Sequence, residues 1–350
     1  MKFTSVPVAV LALAASASAL PFLAKRANTC NGHSELCSKK YSNVTFVGTH
    51  NSYSVGSTDN AAANQDVPVT TQLNDGVRLL QIQGHKHGDS ASGISLCHTS
   101  CILKNGGTLE SYAGDVKKWV QNNPNDVITI MISNPDDISP YDWDKGFKQS
   151  GLSKYAYIAD GGKNDRDDWP KLKEMISSNK RVVIMMDRKA DTGKTEYILP
   201  EFKSVFENPY DQRSLPFNCT ADRYGRDPNK LIYLHNNVID IEKSIIGHSY
   251  TVPNVEKLPQ TNSFEVVYDA VNSCAQKHQY YPTFILVDYY DIGGGGPFQA
   301  AAKMNGVSYK NKTLGNGKNN GSQSSAMICT TSNLAVASIA LTTALVLTIV

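Results

Sequence analysis

No basic run interrupts this sequence. Its 34 Lys and Arg nearly balance 32 Asp and Glu, for a formal net charge of +2. The chain therefore lacks the electrostatic footprint of a nucleic-acid-binding protein, and nucleic acid is not an expected partner. No Gly-x-Gly-x-x-Gly follows the first strand-like segment, which removes support for a dinucleotide-binding fold. No internal repeat sets a period. None of the seven cysteines forms a close Cys-x-x-Cys pair with a matching partner, so a zinc site is only the competing reading of them.

The two ends of the chain carry processing signals. Lys2 supplies a basic start, Val6 to Leu13 is apolar but too short to span a bilayer, and Ala17-Ser18-Ala19 is a small-residue cleavage site. Residues 1–19 read as a signal peptide, with a second, dibasic site at Lys25-Arg26 and hence a propeptide to 26. An ordinary buried N-terminal helix is the competing reading. Leu334 to Val350 is apolar apart from Ser and Thr and has no basic flank. The polar stretch before it, Gly315 to Ser325, suits a linker. Together they form the pattern of a GPI-anchor signal, with Asn320 taken as the attachment site and Gly321 or Ser322 as alternatives. A tail-anchored membrane helix is the other reading. These signals divide the chain into a domain at 27–312, a stalk at 313–325 and a removed tail at 326–350. The expected location is the extracellular face of the plasma membrane or the cell wall.

The cysteines agree with an oxidising compartment. Loss of the tail removes Cys329 and leaves an even set. Short loops suggest the pairs Cys30–Cys37 and Cys97–Cys101, which leaves Cys219 with Cys274. Asn43, Asn218, Asn311 and Asn320 each begin an Asn-x-Ser/Thr sequon, as on a surface glycoprotein.

Roughly 300 residues remain between the signals, enough for one large core. Strand-like segments occur at Val44–Gly48, Val77–Gln83, Ile94–Cys97, Val127–Ile132, Arg181–Met186, Leu231–Leu234 and Phe284–Val287. Thr108–Asn122 has helical spacing, with Leu109, Tyr112, Val116, Trp119 and Val120 on one face and Thr108 as N-cap. Trp169–Ser178 is a second helix. Val127–Ile132 is apolar throughout, as expected of a parallel strand covered on both faces. Repeated strand–helix units predict an α/β fold with a parallel sheet. Their number favours an irregular, single-domain, TIM-type (β/α)8 barrel, with a doubly wound open sheet as the alternative.

Two histidines stand where such a barrel carries its chemistry, at the C-terminal ends of strands. His50 follows the first strand and His98 the short third one. Asp288 follows the last strand, which lies beside the first in a closed barrel, so it is placed to orient His50. Two imidazoles in one pocket can serve as general base and general acid, because their unperturbed pKa is near neutrality.

Thr49-His50-Asn51-Ser52-Tyr53, Gly76-Val77-Arg78-Leu79-Leu80, Leu96-Cys97-His98 and the Val127–Ile132 strand, in that order, resemble the X-region of phosphatidylinositol-specific phospholipase C. Secreted fungal PLC-like phosphodiesterases are the more similar group. The resemblance covers Asn43 to Asn134 well and continues more weakly to Asp288. It implies a phosphoric diester hydrolase or lyase acting on an inositol phospholipid or a related phosphodiester. His50 would take the proton of a hydroxyl on the substrate's own inositol ring. That oxygen attacks phosphorus, and His98 protonates the leaving alcohol. Asp288 would partner His50, and Asn51 matches a position that binds phosphate or metal in relatives.

One departure stands out. Relatives carry charge on the strand after the Gly-Val-Arg motif, where this chain has Gln81 and Gln83. Alternating with Leu80 and Ile82, both should point into the barrel. Neutral amides disfavour calcium, whose affinity normally comes from carboxylates, so no cofactor or metal is expected. They also remove a charged clamp from a phosphoryl transition state. His85, sharing the parity of Gln83, and Arg188 are the candidate substitutes, with Lys86, His87 and Asp187 nearby. Gly293–Gly296 offers backbone amides to a phosphate or is simply a flexible loop. The competing function is a catalytically weakened barrel that binds a lipid headgroup or cell-wall glycan. A glycosidase would need two carboxylates facing one pocket, such as Asp288 and Asp187, and would leave the histidines idle. A monomer is expected.

Overall fold

The computed structural model describes residues 29–159, 165–245, 248–315 and 317. The expected leader, the tail and Asn320 lie outside the described residues, as does most of the stalk. In chain order the strands are β1 (Phe46–Thr49), β2 (Leu79–Lys86), β3 (Ile94–Cys97), β4 (Asn105–Thr108), β5 (Ile128–Ser133), β6 (Val182–Met186), β7 (Ile198–Pro200), β8 (Val205–Glu207), β9 (Ile232–Asn236), β10 (Asp240–Ile245), β11 (His248–Pro253) and β12 (Phe284–Val287). The helices are α1 (Val69–Asp75), α2 (Leu109–Asn122), α3 (Pro140–Ser150), α4 (Leu172–Ser177), α5 (Leu258–Thr261), α6 (Phe264–His278) and α7 (Gly296–Asn305).

Eight of the strands form one parallel sheet in the order β7-β6-β5-β2-β1-β12-β9-β8. Read around the sheet, that is chain order: a barrel whose two ends, β7 and β8, are consecutive in the chain. Among the described residues no ladder joins these two, so the barrel is open along that seam. Each has only three residues, all paired with its other neighbour, β6 or β9. No α-helix separates β6 from β7, β7 from β8, or β8 from β9, which is the irregularity of the fold.

Side-chain parity separates two apolar layers. Val47, Leu80, Ile82, Ile130, Ile184, Ile285 and Val287 pack outward with the helices. Phe46, Leu79, Met131, Val183, Met185, Val205, Leu234, Phe284 and Leu286 pack together inside, over a plug of Leu36, Tyr41, Trp169 and Leu172. Continuing the inward parity toward the C-terminal ends brings His50, Gln81, Gln83, Asp187, Glu207, Asn236 and Asp288 to the mouth. The interior is thus apolar below and polar above.

The helix at 109–122 begins as its sequence predicts, with Thr108 Oγ1 accepting from Ser111 N at 3.2 Å. Helix α3 is similarly capped by Ser139, with Pro140 in its first turn and Gly151 closing it at φ +79°. Three corrections to the sequence reading follow. The second helix is shorter, covering Leu172–Ser177, because Trp169 serves the plug instead. Helices α1, α3, α5, α6 and α7 have no counterpart in that reading. The third strand, β3, is not a barrel strand. Strand β2 overshoots the barrel, and Gly84–Lys86 pair antiparallel with β3, which pairs in turn with β4. The structure holds disulfides Cys30–Cys37, Cys97–Cys101 and Cys219–Cys274. Asn43, Asn218 and Asn311 are exposed.

Candidate active site

The register Thr49↔Val287 between β1 and β12 sets the next residues of both strands side by side. His50 Nδ1 donates to Asp288 Oδ1 at 2.9 Å, and His50 N donates to Val287 O at 3.0 Å. With Nδ1 so engaged, Nε2 is the reactive nitrogen of a neutral His50. It currently accepts from Asn51 Nδ2 at 3.1 Å.

His98 arrives from outside the barrel wall, on the hairpin that β2 carries. Its ring centroid is 6.4 Å from that of His50, with the planes at 75°. His98 Nδ1 donates to Ala62 O at 2.8 Å, which leaves Nε2 free. The Cys97–Cys101 disulfide closes its loop, and Thr99, at φ +61°, directs the chain away. One molecule between the rings could therefore meet both Nε2 atoms.

The two imidazoles are tuned apart. Burial alone would lower His50, but the charge and hydrogen bond of Asp288, with a contribution from Asp240, outweigh it and raise its pKa. Burial lowers His98, and the neighbouring His50 lowers it further. Asp240, at the start of β10, is pushed up to about 7, first by burial and then by the charge of Asp288.

Gln81 and Gln83 line the mouth, and each spends its amide oxygen on the backbone. Gln81 Oε1 accepts from Asn51 N at 2.7 Å, and Gln83 Oε1 from Thr99 N at 3.0 Å. One braces the turn after His50, the other the turn after His98. Asn51, at φ +41°, turns its amide to His50 and to Asn64 Oδ1 (3.1 Å), while its own oxygen accepts from Tyr53. Each of these three amide oxygens thus already accepts one hydrogen bond, and among the described residues no three His, Cys, Asp or Glu side chains are grouped as metal ligands.

His85 and Arg188 do not join the pair. His85 Nδ1 contacts Asp136 Oδ1 at 3.0 Å, and the same carboxylate takes the Lys86 N–H. Arg188 is half-exposed and reaches its neighbour Asp187 at 3.4 Å. The guanidinium of the mouth is instead the partly exposed Arg223, ion-paired to the buried Glu207 and lying 4.6 Å over the Tyr210 ring. The glycine run is structural: a Cβ at Gly296 would stand 2.3 Å from Asn262 O, so this backbone packs against the α5–α6 junction.

Sequence reasoning missed Asn64, Gln65, Arg223 and Asp240. All four sit in irregular segments or at a strand start, where no periodicity marks an inward position. Asn64 Nδ2 donates to Asp288 Oδ1 at 2.8 Å, and Gln65 Nε2 donates to His50 O at 2.8 Å.

Residues 36–305 match the model of the family described as PI-PLC X 1. The chain belongs to the PI-PLC X family. Two relatives from Arthroderma benhamiae are similar to it. One, an uncharacterized secreted protein, is 40% identical over 295 residues, covering 82% of this chain and 66% of that one. The other, PI-PLC X domain-containing protein 1, is 36% identical over 284 residues, covering 79% of this chain and 90% of that one. The chain thus spans just under two thirds of the first relative. A phosphatidylinositol-specific phospholipase C from Staphylococcus aureus matches in structure with a TM-score of 0.51 and 14% identity, over 77% of this chain and 94% of that one. At that identity the likeness shows the fold alone, and the fold is the barrel expected of the PI-PLC X family.

Proposed function

We propose that this PI-PLC X chain is a phosphodiesterase of phospholipase C type, acting on an inositol-phospholipid-like phosphodiester. The observation that carries this reading is the facing pair of imidazoles, 6.4 Å apart, with Asp288 bonded behind one of them. His50 Nε2 takes the proton of a substrate hydroxyl once the Asn51 amide yields that nitrogen. The freed oxygen attacks phosphorus, the bond to the leaving alkoxide breaks, and His98 Nε2 supplies its proton. Attack from the substrate's own ring closes a cyclic phosphodiester. Charge on the phosphoryl oxygens is met by the imidazolium and by the field of Arg223 rather than by calcium. Secretion, supported by the three disulfides and the secreted relative, and GPI anchoring at Asn320 are parts of the same proposal. Glycans at Asn43, Asn218 and Asn311 and a monomeric state complete it.

Purified protein is tested on phosphatidylinositol vesicles with and without a chelator. Turnover that survives the chelator and is lost in both His50→Ala and His98→Ala supports the reading. Equal turnover in wild type and both variants would sink it.

A second reading is favoured by Gln81 and Gln83, whose oxygens are spent on backbone rather than offered to a ligand. On that reading the barrel binds a lipid headgroup or cell-wall glycan without cleaving it. Saturable vesicle or glycan binding with no product would support it.

A further inference from the structure

One short segment reaches both histidines. Ala62 supplies the carbonyl that accepts from His98 Nδ1. Two residues later, Asn64 is fully buried and has both ends of its carboxamide engaged: Nδ2 donates to Asp288 Oδ1 at 2.8 Å, and Oδ1 accepts from Asn51 Nδ2 at 3.1 Å. Asn64 Nδ2 also lies 3.3 Å from His50 Nδ1, but that nitrogen gives its proton to Asp288, so the amide and the imidazole share one carboxylate oxygen. The Asn51 amide that Asn64 holds is the one resting on His50 Nε2. Asn64 therefore touches the partner of one ring nitrogen and the occupant of the other. Its backbone is fixed too, with N donating to Ser54 O at 2.9 Å and O accepting from Tyr289 N at 2.8 Å.

We propose that Asn64 is a positioning residue that sets the tautomer and orientation of His50 by clamping Asp288 on one side and Asn51 on the other. Through Ala62, the same turn registers His98 against it. This deepens the reading of the two histidines as the acid–base pair and rests on it. Asp288 Oδ2 is buried without a partner, so Oδ1 alone bears the contacts that aim this carboxylate. Removing the Asn64 donor leaves the carboxylate free to rotate. A rotated carboxylate no longer selects the Nδ1–H form, and misplacement of a reacting group by an ångström costs about 10²-fold in rate.

The test uses the full-length protein and two variants. Asn64→Ala removes both contacts. Asn64→Leu is close in size but has neither donor nor acceptor, and it guards against an Ala variant that fails to fold through its cavity, checked by circular dichroism and thermal midpoint. The first measurement is the ring nitrogen-15 shifts of His50, which report its tautomer without any substrate. The second is kcat and KM on phosphatidylinositol vesicles. The expected result is a mixed His50 tautomer in both variants and a fall of about 10²-fold in kcat with little change in KM. An unchanged nitrogen pattern in folded Asn64→Leu overturns the assignment. So does a wild-type kcat in that variant, or a loss that follows only the unfolded fraction. Because the nitrogen measurement needs no turnover, an inactive wild type would count against the proposed function and leave the positioning role separately decided.

Discussion

At the scale of single residues the site is an arrangement of hydrogen bonds around His50. Asp288 is its charged member, and its effect has a definite sign. Replacing it by Asn keeps the shape, removes the charge that raises His50, and lets the imidazole settle in the wrong tautomer. For Asp288→Asn we expect kcat to fall by about 10²- to 10⁴-fold. The wild-type pH–rate profile should be bell-shaped, because the productive state holds one proton on the pair; its limbs belong to the pair jointly. Asp288→Asn should move the alkaline limb to lower pH, and an unmoved limb in a pH–rate series would contradict the account. Much of this was legible in the residues. His50 and Asp288 end the first and last strands of a cyclic order, so adjacency follows from topology. Asn64 was not legible, since an irregular loop encodes its inward positions only through contacts made after folding.

At the scale of elements the instructive case is β2. An apolar run alternating with Gln81 and Gln83 reads correctly as a barrel strand, yet the strand continues past the barrel into a hairpin that delivers His98. Gly84 is the joint, where the partner changes from parallel β5 to antiparallel β3. A Cβ there would stand 2.3 Å from Trp143 Cη2, and Trp143 is fully buried in α3. Gly84→Ala should therefore destabilise the protein by about 1–3 kcal/mol, the usual cost of overpacking. It should also lower activity beyond the stability loss by displacing β3 and His98. Urea denaturation gives the first quantity and turnover of the folded fraction the second; unchanged values in both would remove Gly84 as the joint. Helix α2 was readable because its cap and apolar stripe are local signals. The hairpin was not, because antiparallel pairing of Ile94–Cys97 on β2 is a tertiary choice that the same residues would also satisfy as a barrel strand.

At the scale of the whole molecule, the same inward parity that makes an apolar floor makes a polar mouth, and the polar groups taken inside carry a pH cost. His235 on β9 is fully buried; its Nδ1 meets Tyr233 OH at 2.8 Å and its Nε2 has no partner. Burial pushes its pKa down to about 3. The unfolded chain takes up this proton near the ordinary value of about 6.5, so the contribution to stability is complete above that pH and is lost as pH falls toward the folded value. At pH 5 the loss amounts to about 2 kcal/mol. Because Asp240, raised to about 7, contributes the opposite slope over the same window, the test is the difference between proteins: His235→Gln should lose less stability than wild type between pH 7 and pH 5, and thermal midpoints that shift equally in both would assign the effect elsewhere. What the sequence by itself determined is the parallel α/β architecture and the strand ends that carry His50 and Asp288, because period, caps and chain order are local or topological properties. Only the tertiary structure decided how the mouth is wired: that Gln81 and Gln83 brace the two histidine turns, that Arg223 rather than Arg188 pairs with the buried Glu207, and that Asn64 binds Asp288 to Asn51. Those outcomes depend on which polar atoms find partners once water is excluded, and that competition is settled between segments far apart in the chain.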